Sequence, residues 1–417
     1  MGTLQTMSTS SHTSTDEPTH AWSAEQVRLA ARPLGMSTDD ERRAILESFA
    51  RELETHREEI LRANVADCER GAADGLSAAL IDRLTLDPER LAGIVAAVRD
   101  VAGLPDPLGE VIEHRQLDNG LDLQKVRVPF GVVCVVYEAR PNVTADAAAI
   151  AIRTGNGAVL RGSRQAVMTN DAVMTCVHAA LATHGFDQMA ISSFDPSDRE
   201  GFRELIGREG SVDLVIPRGG EALKRFLYEH ARVPILAAAG GNCHVFVDES
   251  ADKDMARNIV LNAKTQRPGV CNAAETLLVH EHRAHDLLPY LVAHLEQAGV
   301  EVLRGDDALD TEFLDMRIAV ATVPSVEAAI SHINRHGTGH SEAIVTSDAD
   351  SAERFVRGVD AAAVYVNAST RFTDGGVYGM GAEVGISTNK LHARGPIGLR
   401  ELTTTKYIVR GDGQIRQ

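Results

Sequence analysis

The stretch that decides the fold is Gly131–Ser163, which reads GVVCVVYEARPNVTADAAAIAIRTGNGAVLRGS. It contains the apolar run Val132–Tyr137, the alanine-rich segment Thr144–Arg153 and a second short apolar run, Ala158–Leu160. Short apolar runs bounded by turn residues indicate strands buried on both faces. Two such strands that are connected by one helix pair with each other in parallel. The stretch therefore predicts a β-α-β unit.

The same alternation continues toward the C-terminus. Further buried strands are predicted at Val212–Ile216, His244–Val247, Thr276–Val279, Ile318–Ala321, Ala343–Val345 and Ala363–Val366. Amphipathic segments such as Asp252–Ala263 and Val326–Arg335 lie between them and predict crossover helices. The predicted fold class is therefore α/β with parallel sheets.

Two segments do not fit this alternation. Val111–Val128 carries Asn119-Gly120 between alternating apolar residues, which predicts a β-hairpin whose two turn residues take positive φ. Thr403–Val409 predicts a last strand. A long hairpin needs a surface against which it buries one face, and a second subunit is one candidate for that surface.

Composition restricts the class of protein. The 417 residues carry 42 Lys and Arg against 59 Asp and Glu, a formal net charge of −17, and length alone allows two or three domains. Excess acid repels phosphate backbones and anionic lipids, which argues against nucleic-acid or membrane-surface binding. No apolar run approaches the ~18 residues of a membrane span. Five scattered cysteines without CxxC spacing favour a reduced, cytoplasmic protein.

The N-terminal part has a different character. Residues 1–20 are rich in Ser and Thr, which predicts a disordered tail, and they contain no apolar core of a secretory signal. From Ala24 to about Arg99 the pattern is helical, and Thr38 and Glu41 have the spacing of a capping box.

Cys271 is the first candidate nucleophile. Lys264 and Arg267 precede it by seven and four residues, and nearby cations lower the pKa of a thiol. A buried structural cysteine is the alternative interpretation. Cys243 beside His244 is a second candidate nucleophile, but neighbours on a strand point to opposite faces, which disfavours a working pair.

Other polar and glycine-rich segments are less specific. Asn142 enters a helix from a buried strand, where an Asn caps the helix or donates its amide to an oxyanion. Glycine-rich turns, which either approach phosphates or are plain turns, lie at 155–157, 161–164, 217–220 and 375–385. None of them is GxGxxG or a Walker A sequence, so an ordinary Rossmann fingerprint is absent.

Two groups of histidines have spacings that suggest metal ligands. They are His332, His336 and His340, and His280, His282 and His285. Gly337 and Gly339 interrupt the helix that would align the first group, and the second group falls in a polar turn at a strand end. Both groups are interpreted as solvated surface, and no metal site is predicted.

Seven segments, taken in order, resemble the aldehyde dehydrogenase superfamily, and most closely its γ-glutamyl phosphate reductase branch. They are EARPNVTADAAA (138–149), GNGAVLRGS (155–163), VDLVIPRGGEAL (212–223), GGNCHVFVD (240–248), RPGVCNAAETLLVH (267–280), YVNASTRFTDG (365–375) and GAEVGISTNKLHARGPIGLREL (381–402). With their flanks they span about Pro129 to Leu402, so the resemblance covers most of the chain.

The resemblance implies roles for individual residues. Cys271 is similar to the acylated thiol of the superfamily, Asn142 to its side-chain oxyanion donor, and Glu383 to the glutamate that holds the nicotinamide ribose. The implied cofactor-binding set is Arg161, Gly162, Ser163, Arg164, Gly219, Gly220 and Glu383. The candidate cations for the substrate's phosphate and α-carboxylate are Arg140, Lys264, Arg267 and Arg371, with Arg394 a weaker one.

The cofactor implied is NADP(H). Arg164 falls where NAD-preferring relatives carry a glutamate, and a carboxylate there would repel a 2′-phosphate that Ser163 and Arg164 can accept. Hydrolytic relatives also have a glutamate base before a GGK motif, whereas this chain has Ala237-Ala-Ala-Gly-Gly-Asn242. Loss of that base slows thioester hydrolysis roughly 10²–10⁴-fold. The expected reaction is therefore reduction of L-glutamyl 5-phosphate by NADPH to L-glutamate 5-semialdehyde and phosphate, the second step of proline biosynthesis.

By resemblance, the fold comprises three parts. They are a Rossmann-like cofactor domain (21–110 and 129–243, with about 376–398), a catalytic α/β domain with Cys271 (244–375) and an oligomerisation flap (111–128 and 399–417). A homodimer or homotetramer and a transient contact with glutamate 5-kinase are expected. The alternatives are another acylating aldehyde dehydrogenase (linked to CoA or phosphate), a cofactor-free cysteine hydrolase or acyltransferase, and a non-catalytic scaffold.

Overall fold

The computed structural model describes residues 24–237 and 240–416, so the predicted tail at 1–20 lies outside the described part. Five helices come first: α1 (Ala24–Met36), α2 (Asp39–Thr55), α3 (Arg57–Ala73), α4 (Ala78–Leu84) and α5 (Pro88–Gly103). The capping box at the start of α2 is confirmed, because Thr38 Oγ1 accepts from the Glu41 N–H at 3.3 Å and the Glu41 carboxylate accepts from the Thr38 N–H at 2.7 Å.

The hairpin is confirmed as an antiparallel pair, β1 (Val111–Gln116) and β2 (Asp122–Pro129), but its predicted turn is wrong. Gly120 takes a φ of +82°, whereas Asn119 does not take a positive φ. The Gly120 N–H donates to Leu117 O at 2.9 Å, and Leu117 N–H donates to Leu121 O at 2.8 Å. The connection is therefore a three-residue loop in which the glycine alone follows the turn in the left-handed conformation.

A four-stranded sheet contains the predicted β-α-β unit. Its elements are β3 (Val132–Tyr137), α6 (Asn142–Arg153), β4 (Gly157–Arg161), α7 (Val167–Thr183), β5 (Ile191–Ser193), α8 (Arg199–Gly207), β6 (Leu214–Arg218) and α9 (Glu221–His230). The strand order is β5-β4-β3-β6, and all neighbours are parallel. Along β3, Val133 and Val135 pack in one core while Cys134 and Val136 pack in another, so both faces of the sheet are covered.

A six-stranded parallel sheet follows, in the order β12-β11-β7-β8-β10-β9. Its elements are β7 (Cys243–Val247), α10 (Lys253–Thr265), β8 (Ala274–His280), α11 (Leu287–Gln297), β9 (Glu301–Leu303), α12 (Asp306–Leu309), β10 (Arg317–Val323), α13 (Val326–His336), β11 (Ser341–Val345), α14 (Ala349–Gly358) and β12 (Ala363–Val366). The parallel α/β prediction is confirmed for both sheets.

The C-terminal part returns to the hairpin. After a short pair, β13 (Ile386–Ser387) and β14 (Gly395–Pro396), the last strand β15 (Thr403–Arg410) pairs antiparallel with β2. This confirms the predicted last strand and completes a three-stranded sheet, β1-β2-β15. In the described part of the chain, no helix is both long and apolar enough to cross a membrane.

Candidate active site around Cys271

The Cys271 loop connects α10 to β8 and therefore lies at the amino-terminal edge of the six-stranded sheet. The carboxyl ends of β3 and β6 face this loop, because Arg140 after β3 and Arg218 at the end of β6 both interact electrostatically with Cys271. Carboxyl ends of parallel strands are the usual position of ligand sites in α/β folds. The half-buried thiol thus lies between the two sheets.

Backbone contacts fix the position of the loop. The Cys243 thiol donates to Cys271 O at 3.1 Å, and a Cβ on Gly241 would lie only 1.7 Å from the same oxygen. On the other side, Asn272 donates its amide to Thr373 O at 2.8 Å, while Thr370 Oγ1 donates to Asn272 O at 2.7 Å. The nucleophile loop is therefore clamped from both sides.

Cys243, the second candidate nucleophile, does not form a Cys–His pair. Its side chain is fully buried, and burial raises its pKa well above the usual value for a thiol. Its neighbour His244 is hydrogen-bonded at 3.0 Å to the carboxylate of Glu342, and both side chains are buried. The lack of a Cys–His pair agrees with the opposite orientation expected of strand neighbours, and the thiol of Cys243 instead holds the Cys271 loop.

The expectation that Lys264 and Arg267 give the Cys271 thiol a lowered pKa is wrong. Burial raises the pKa of Cys271, and the carboxylates of Glu312 and Glu383 raise it further, whereas Arg218 lowers it. Lys264 is fully buried and forms an ion pair with Glu275 at 2.6 Å. Lys264 precedes Cys271 by seven residues, yet its side chain points into the protein interior.

Glu312 is a residue of the site that the sequence analysis did not identify. One of its carboxylate oxygens accepts from the Gly241 N–H at 2.6 Å, and the other lies 2.7 Å from the place of a Cβ on Gly240. The sequence lacks a carboxylate at 237–239, yet the fold brings one to the adjacent glycines from the segment after α12. Only the tertiary structure reveals it.

Asn142 is exposed at the first residue of α6, and the structure shows no side-chain cap there. Its amide donates to Asp146 Oδ2 at 2.9 Å, so the capping interpretation is wrong. An amide has two N–H donors, and the second remains available for a substrate oxygen. Its role as oxyanion donor stays a prediction.

Arg371 and Arg267 form the cationic side of the Cys271 loop. Burial lowers the pKa of Arg371, repulsion from Arg267 lowers it further, and the thiol of Cys271 raises it, so the three groups share one region. Arg371 Nε also donates to Gln266 Oε1 at 2.8 Å. Arg394, by contrast, pairs with Asp360 at 2.7 Å in the segment around β14.

Four of the predicted cofactor residues, Arg161 to Arg164, lie at the carboxyl end of β4. Arg161 is already engaged, because its guanidinium lies 4.4 Å from the centre of the Phe202 ring and donates to Pro196 O at 3.1 Å. Ser163 Oγ is buried and has no hydrogen-bond partner among the described residues, while Arg164 is exposed. An orphaned hydroxyl beside an exposed arginine fits an anionic ligand.

The three glycines of the predicted cofactor set differ in their surroundings. A side chain would meet close neighbours at Gly162 and Gly219, whereas Gly220 donates its N–H to a carboxylate. A Cβ on Gly162 would lie 2.2 Å from the Asn170 amide, and one on Gly219 would lie 2.8 Å from the Glu138 carboxyl carbon. The Gly220 N–H, at the start of α9, donates to Glu138 Oε2 at 3.1 Å.

Glu383 accepts from the Gly375 N–H at 2.9 Å. Burial raises the pKa of Glu383, and Asp374 raises it further, while Arg218 lowers it. Because Glu383 also raises the pKa of the Cys271 thiol, this carboxylate belongs to the same site.

The histidine groups differ from the expected solvated surface. His340 is fully buried and burial lowers its pKa to about 4, and His280 is buried as well. His280, His282 and Glu249 bring ligand atoms within 4.8 Å of one another. His282 and Glu249 are mostly exposed and pair with each other at 2.9 Å, so this cluster is explained as a surface ion pair.

Comparisons with known proteins agree with this geometry. The sequence model of the aldehyde dehydrogenase family matches residues 5–312 and 318–408. The gamma-glutamyl phosphate reductase of Moorella thermoacetica is 49% identical over 409 residues, covering 94% of this chain and 97% of the relative. That of Clostridium kluyveri is 47% identical over 408 residues, covering 94% and 98%. The crystal structure of the enzyme from Thermotoga maritima has a TM-score of 0.92 at 44% identity, covering 94% of this chain and 99% of that chain.

The chain therefore belongs to the aldehyde dehydrogenase family, and within it to the branch of the gamma-glutamyl phosphate reductases. Enzymes of this family are oxidoreductases that use nicotinamide cofactors. The resemblance found in the sequence and the α/β fold are confirmed.

Proposed function

We propose that this protein reduces L-glutamyl 5-phosphate to L-glutamate 5-semialdehyde and phosphate through a thioester on Cys271. The observation that carries this proposal is the position of the thiol: it lies between two parallel sheets and interacts electrostatically with both Arg218 and Arg371. An acyl phosphate with an α-carboxylate carries negative charge at both ends, which suits a nucleophile flanked by cations.

In the first half of the reaction, Cys271 Sγ attacks the acyl carbon, the bond from that carbon to the phosphate oxygen breaks, and phosphate leaves. Because the pKa of the resting thiol is raised, Arg218 has to stabilise the negative charge that develops on sulfur. The free N–H of the Asn142 amide donates to the oxyanion, together with the Cys271 backbone N–H.

The second half regenerates the thiol. When bound, NADPH supplies the hydride that reduces the thioester. The clamp on Cys271 and Asn272 keeps the sulfur at one position through both halves of the reaction. Cleavage of the carbon–sulfur bond that formed in the first half then releases the aldehyde.

NADP(H) is proposed over NAD(H) on the donor set at β4. The buried, unpartnered Ser163 Oγ and the exposed Arg164 suit a 2′-phosphate, although Asp195 lies close enough to interact with Arg164. Competition between the two cofactors, with Arg164→Glu as the variant, tests this preference. A variant that keeps the parent preference would contradict it.

The first experiment runs the reaction in reverse, with glutamate semialdehyde and NADP⁺, in the presence and absence of phosphate. NADPH formation that depends on phosphate, and that is lost in Cys271→Ala but kept in Cys68→Ala, is expected. Cys68 is the matched control because it is the other half-buried thiol of the described chain. Equal rates without phosphate would mean that water resolves the thioester, with Glu312 as its base. A rate restored by CoA alone would favour the CoA-linked alternative.

We propose that Arg371 and Arg267 hold the α-carboxylate of the substrate. Arg267 lies in the Cys271 loop and Arg371 lies close to it. The two cations repel each other, and a bound carboxylate would relieve this repulsion. Arg371→Gln is expected to raise the KM for the semialdehyde, with a smaller effect on kcat. An unchanged KM would contradict the assignment.

The β1-β2-β15 sheet is proposed as the surface of a homodimer or homotetramer. Val111 and Ile112 on β1, and Tyr407 and Val409 on β15, expose about half of their side-chain area. Light scattering that finds only a monomer would contradict this. A transient contact with glutamate 5-kinase, which would shorten the path of a labile acyl phosphate, is proposed on chemical grounds alone.

A further inference from the structure

Arg140 and Arg218 leave the four-stranded sheet at the same edge. β3 and β6 pair in parallel with Tyr137 opposite Arg218, and the Glu138 N–H donates to Arg218 O at 3.3 Å. Arg140 follows two residues later in the loop to α6. Neither guanidinium forms a hydrogen bond or an ion pair in the described part of the chain, but Glu138 interacts electrostatically with Arg140, and Asp146 and Glu383 with Arg218.

Arg83 joins them from the helical region. Its neighbour Leu84, the last residue of α4, packs with Ala139 and Ala166 in one buried cluster, so the end of α4 lies against the loop that carries Arg140. Burial lowers the pKa of Arg140, and repulsion from Arg218 and Arg83 lowers it further. The three arginines therefore form a row of like charges that begins at the thiol.

The guanidinium of Arg218 lies against Gly385. Its Nη1 atom lies 2.6 Å from the place that a Cβ on residue 385 would occupy, so a side chain there would make the guanidinium shift. In this position Arg218 interacts electrostatically with Glu383 and with Cys271. Because neither Arg140 nor Arg218 forms an ion pair in the described part of the chain, their guanidinium donors are available to an anion.

We propose that Arg218, Arg140 and Arg83 bind the phosphoryl group of the acyl phosphate, with Arg218 nearest to the sulfur. The inference rests on the proposed function and assigns the phosphate-binding residues that it left open. The phosphoryl group is joined through one oxygen to the carbon that Cys271 attacks, so it lies beside the sulfur during the attack. The pyrophosphate of a dinucleotide is separated from its nicotinamide by a ribose and lies farther away.

The row also explains the departure of phosphate. As the carbon–sulfur bond forms, the carbon–oxygen bond breaks and its electron pair goes to phosphate, which takes up the thiol proton and leaves as HPO₄²⁻. Two planar guanidinium forks can bind adjacent phosphate oxygens. Arg83, at the outer end of the row, then attracts the released anion toward solvent.

The test measures the KM for inorganic phosphate in the reverse reaction. Arg218→Gln and Arg140→Gln are each expected to raise it about 10- to 100-fold, which is the range of a charge-assisted hydrogen bond, and Arg83→Gln to raise it less. Arg218→Lys keeps the charge without the fork and should recover part of the loss. Arg357→Gln is the matched control, because Arg357 is exposed on α14 and pairs with Glu353.

A second readout separates this site from the proposed function. Without phosphate, enzyme mixed with semialdehyde and NADP⁺ should give a burst of about one NADPH per Cys271 in both the parent and Arg140→Gln. Absence of the burst in the parent would overturn the thioester mechanism. A normal burst with an unchanged phosphate KM in Arg140→Gln would overturn the phosphate site alone, as would a rise confined to the KM for the semialdehyde or for NADP⁺.

Discussion

Replacing Gly241 with alanine tests how the nucleophile is positioned. The new Cβ would lie 1.7 Å from Cys271 O and 2.6 Å from Cys271 Cα, whereas real Cβ contacts are essentially never closer than 3.0 Å. Both clashing groups belong to the backbone, so no side-chain rotation relieves the overlap, and the Cys271 loop must move by more than an ångström. A misplacement of about 1 Å costs roughly 10²-fold in rate. We therefore expect kcat/KM of Gly241→Ala to fall about 100-fold, or about 2.7 kcal/mol of transition-state stabilisation.

The matched control is Gly269→Ala in the same loop. Its nearest contact would be Leu314 O at 3.7 Å, an ordinary van der Waals distance, so kcat/KM should stay within about threefold of the parent value. Steady-state kinetics of both variants would be compared after circular dichroism and thermal unfolding establish that each is folded. A folded Gly241→Ala enzyme with more than a third of the parent activity would refute the argument that this contact positions the sulfur.

Three further predictions concern charge and capping. Glu312→Gln removes a carboxylate that raises the pKa of Cys271, so the midpoint of the pH profile of thiol alkylation should move to lower pH, and an unmoved or higher midpoint would contradict this. Lys264→Met leaves Glu275, whose pKa is raised to about 7, buried without its partner. Denaturant unfolding at pH 8 should show a loss of about 3–5 kcal/mol in the free energy of unfolding, and this loss should shrink at pH 5, where the carboxyl is protonated. An equal loss at both pH values would contradict the charge argument. Thr38→Ala should lower the free energy of unfolding by about 1 kcal/mol, with Thr38→Ser as the control that keeps the cap, and equal losses in both variants would contradict capping.

Long apolar runs were enough to predict the sheets. Val132–Tyr137 is a strand with the predicted bounds, because a strand that is buried on both faces has no polar residue to interrupt the pattern. Ile191–Ser193 and Glu301–Leu303 were not predicted, since three residues at the edge of a sheet show no periodicity. The positive φ predicted for Asn119 rests on the Asn-Gly preference for two-residue turns. That preference does not determine the length of the loop, which has three residues here.

The site was less predictable than the fold. The segment around Cys271 carries the family pattern, so the thiol could be assigned from its neighbours in the sequence. Glu312 and Arg218 come from other parts of the chain and reach the thiol only through tertiary packing, as Arg83 reaches Arg140. Lys264 shows the reverse error: it is close in sequence, yet its helix directs it to Glu275 in the interior.

The pairing of β15 with β2 has a consequence for biosynthesis. Arg127 on β2 bonds Thr403 on β15 across 276 residues of sequence, so the middle strand of this sheet completes its pairing only when nearly the whole polypeptide has been made. Until then, the hairpin emerges from the ribosome with one row of backbone hydrogen-bonding groups open, a state that invites pairing with neighbouring nascent chains. A chain that stops before Thr403 would retain Cys271 and every arginine discussed above, and we expect it to be lost to aggregation even though its chemical groups are complete.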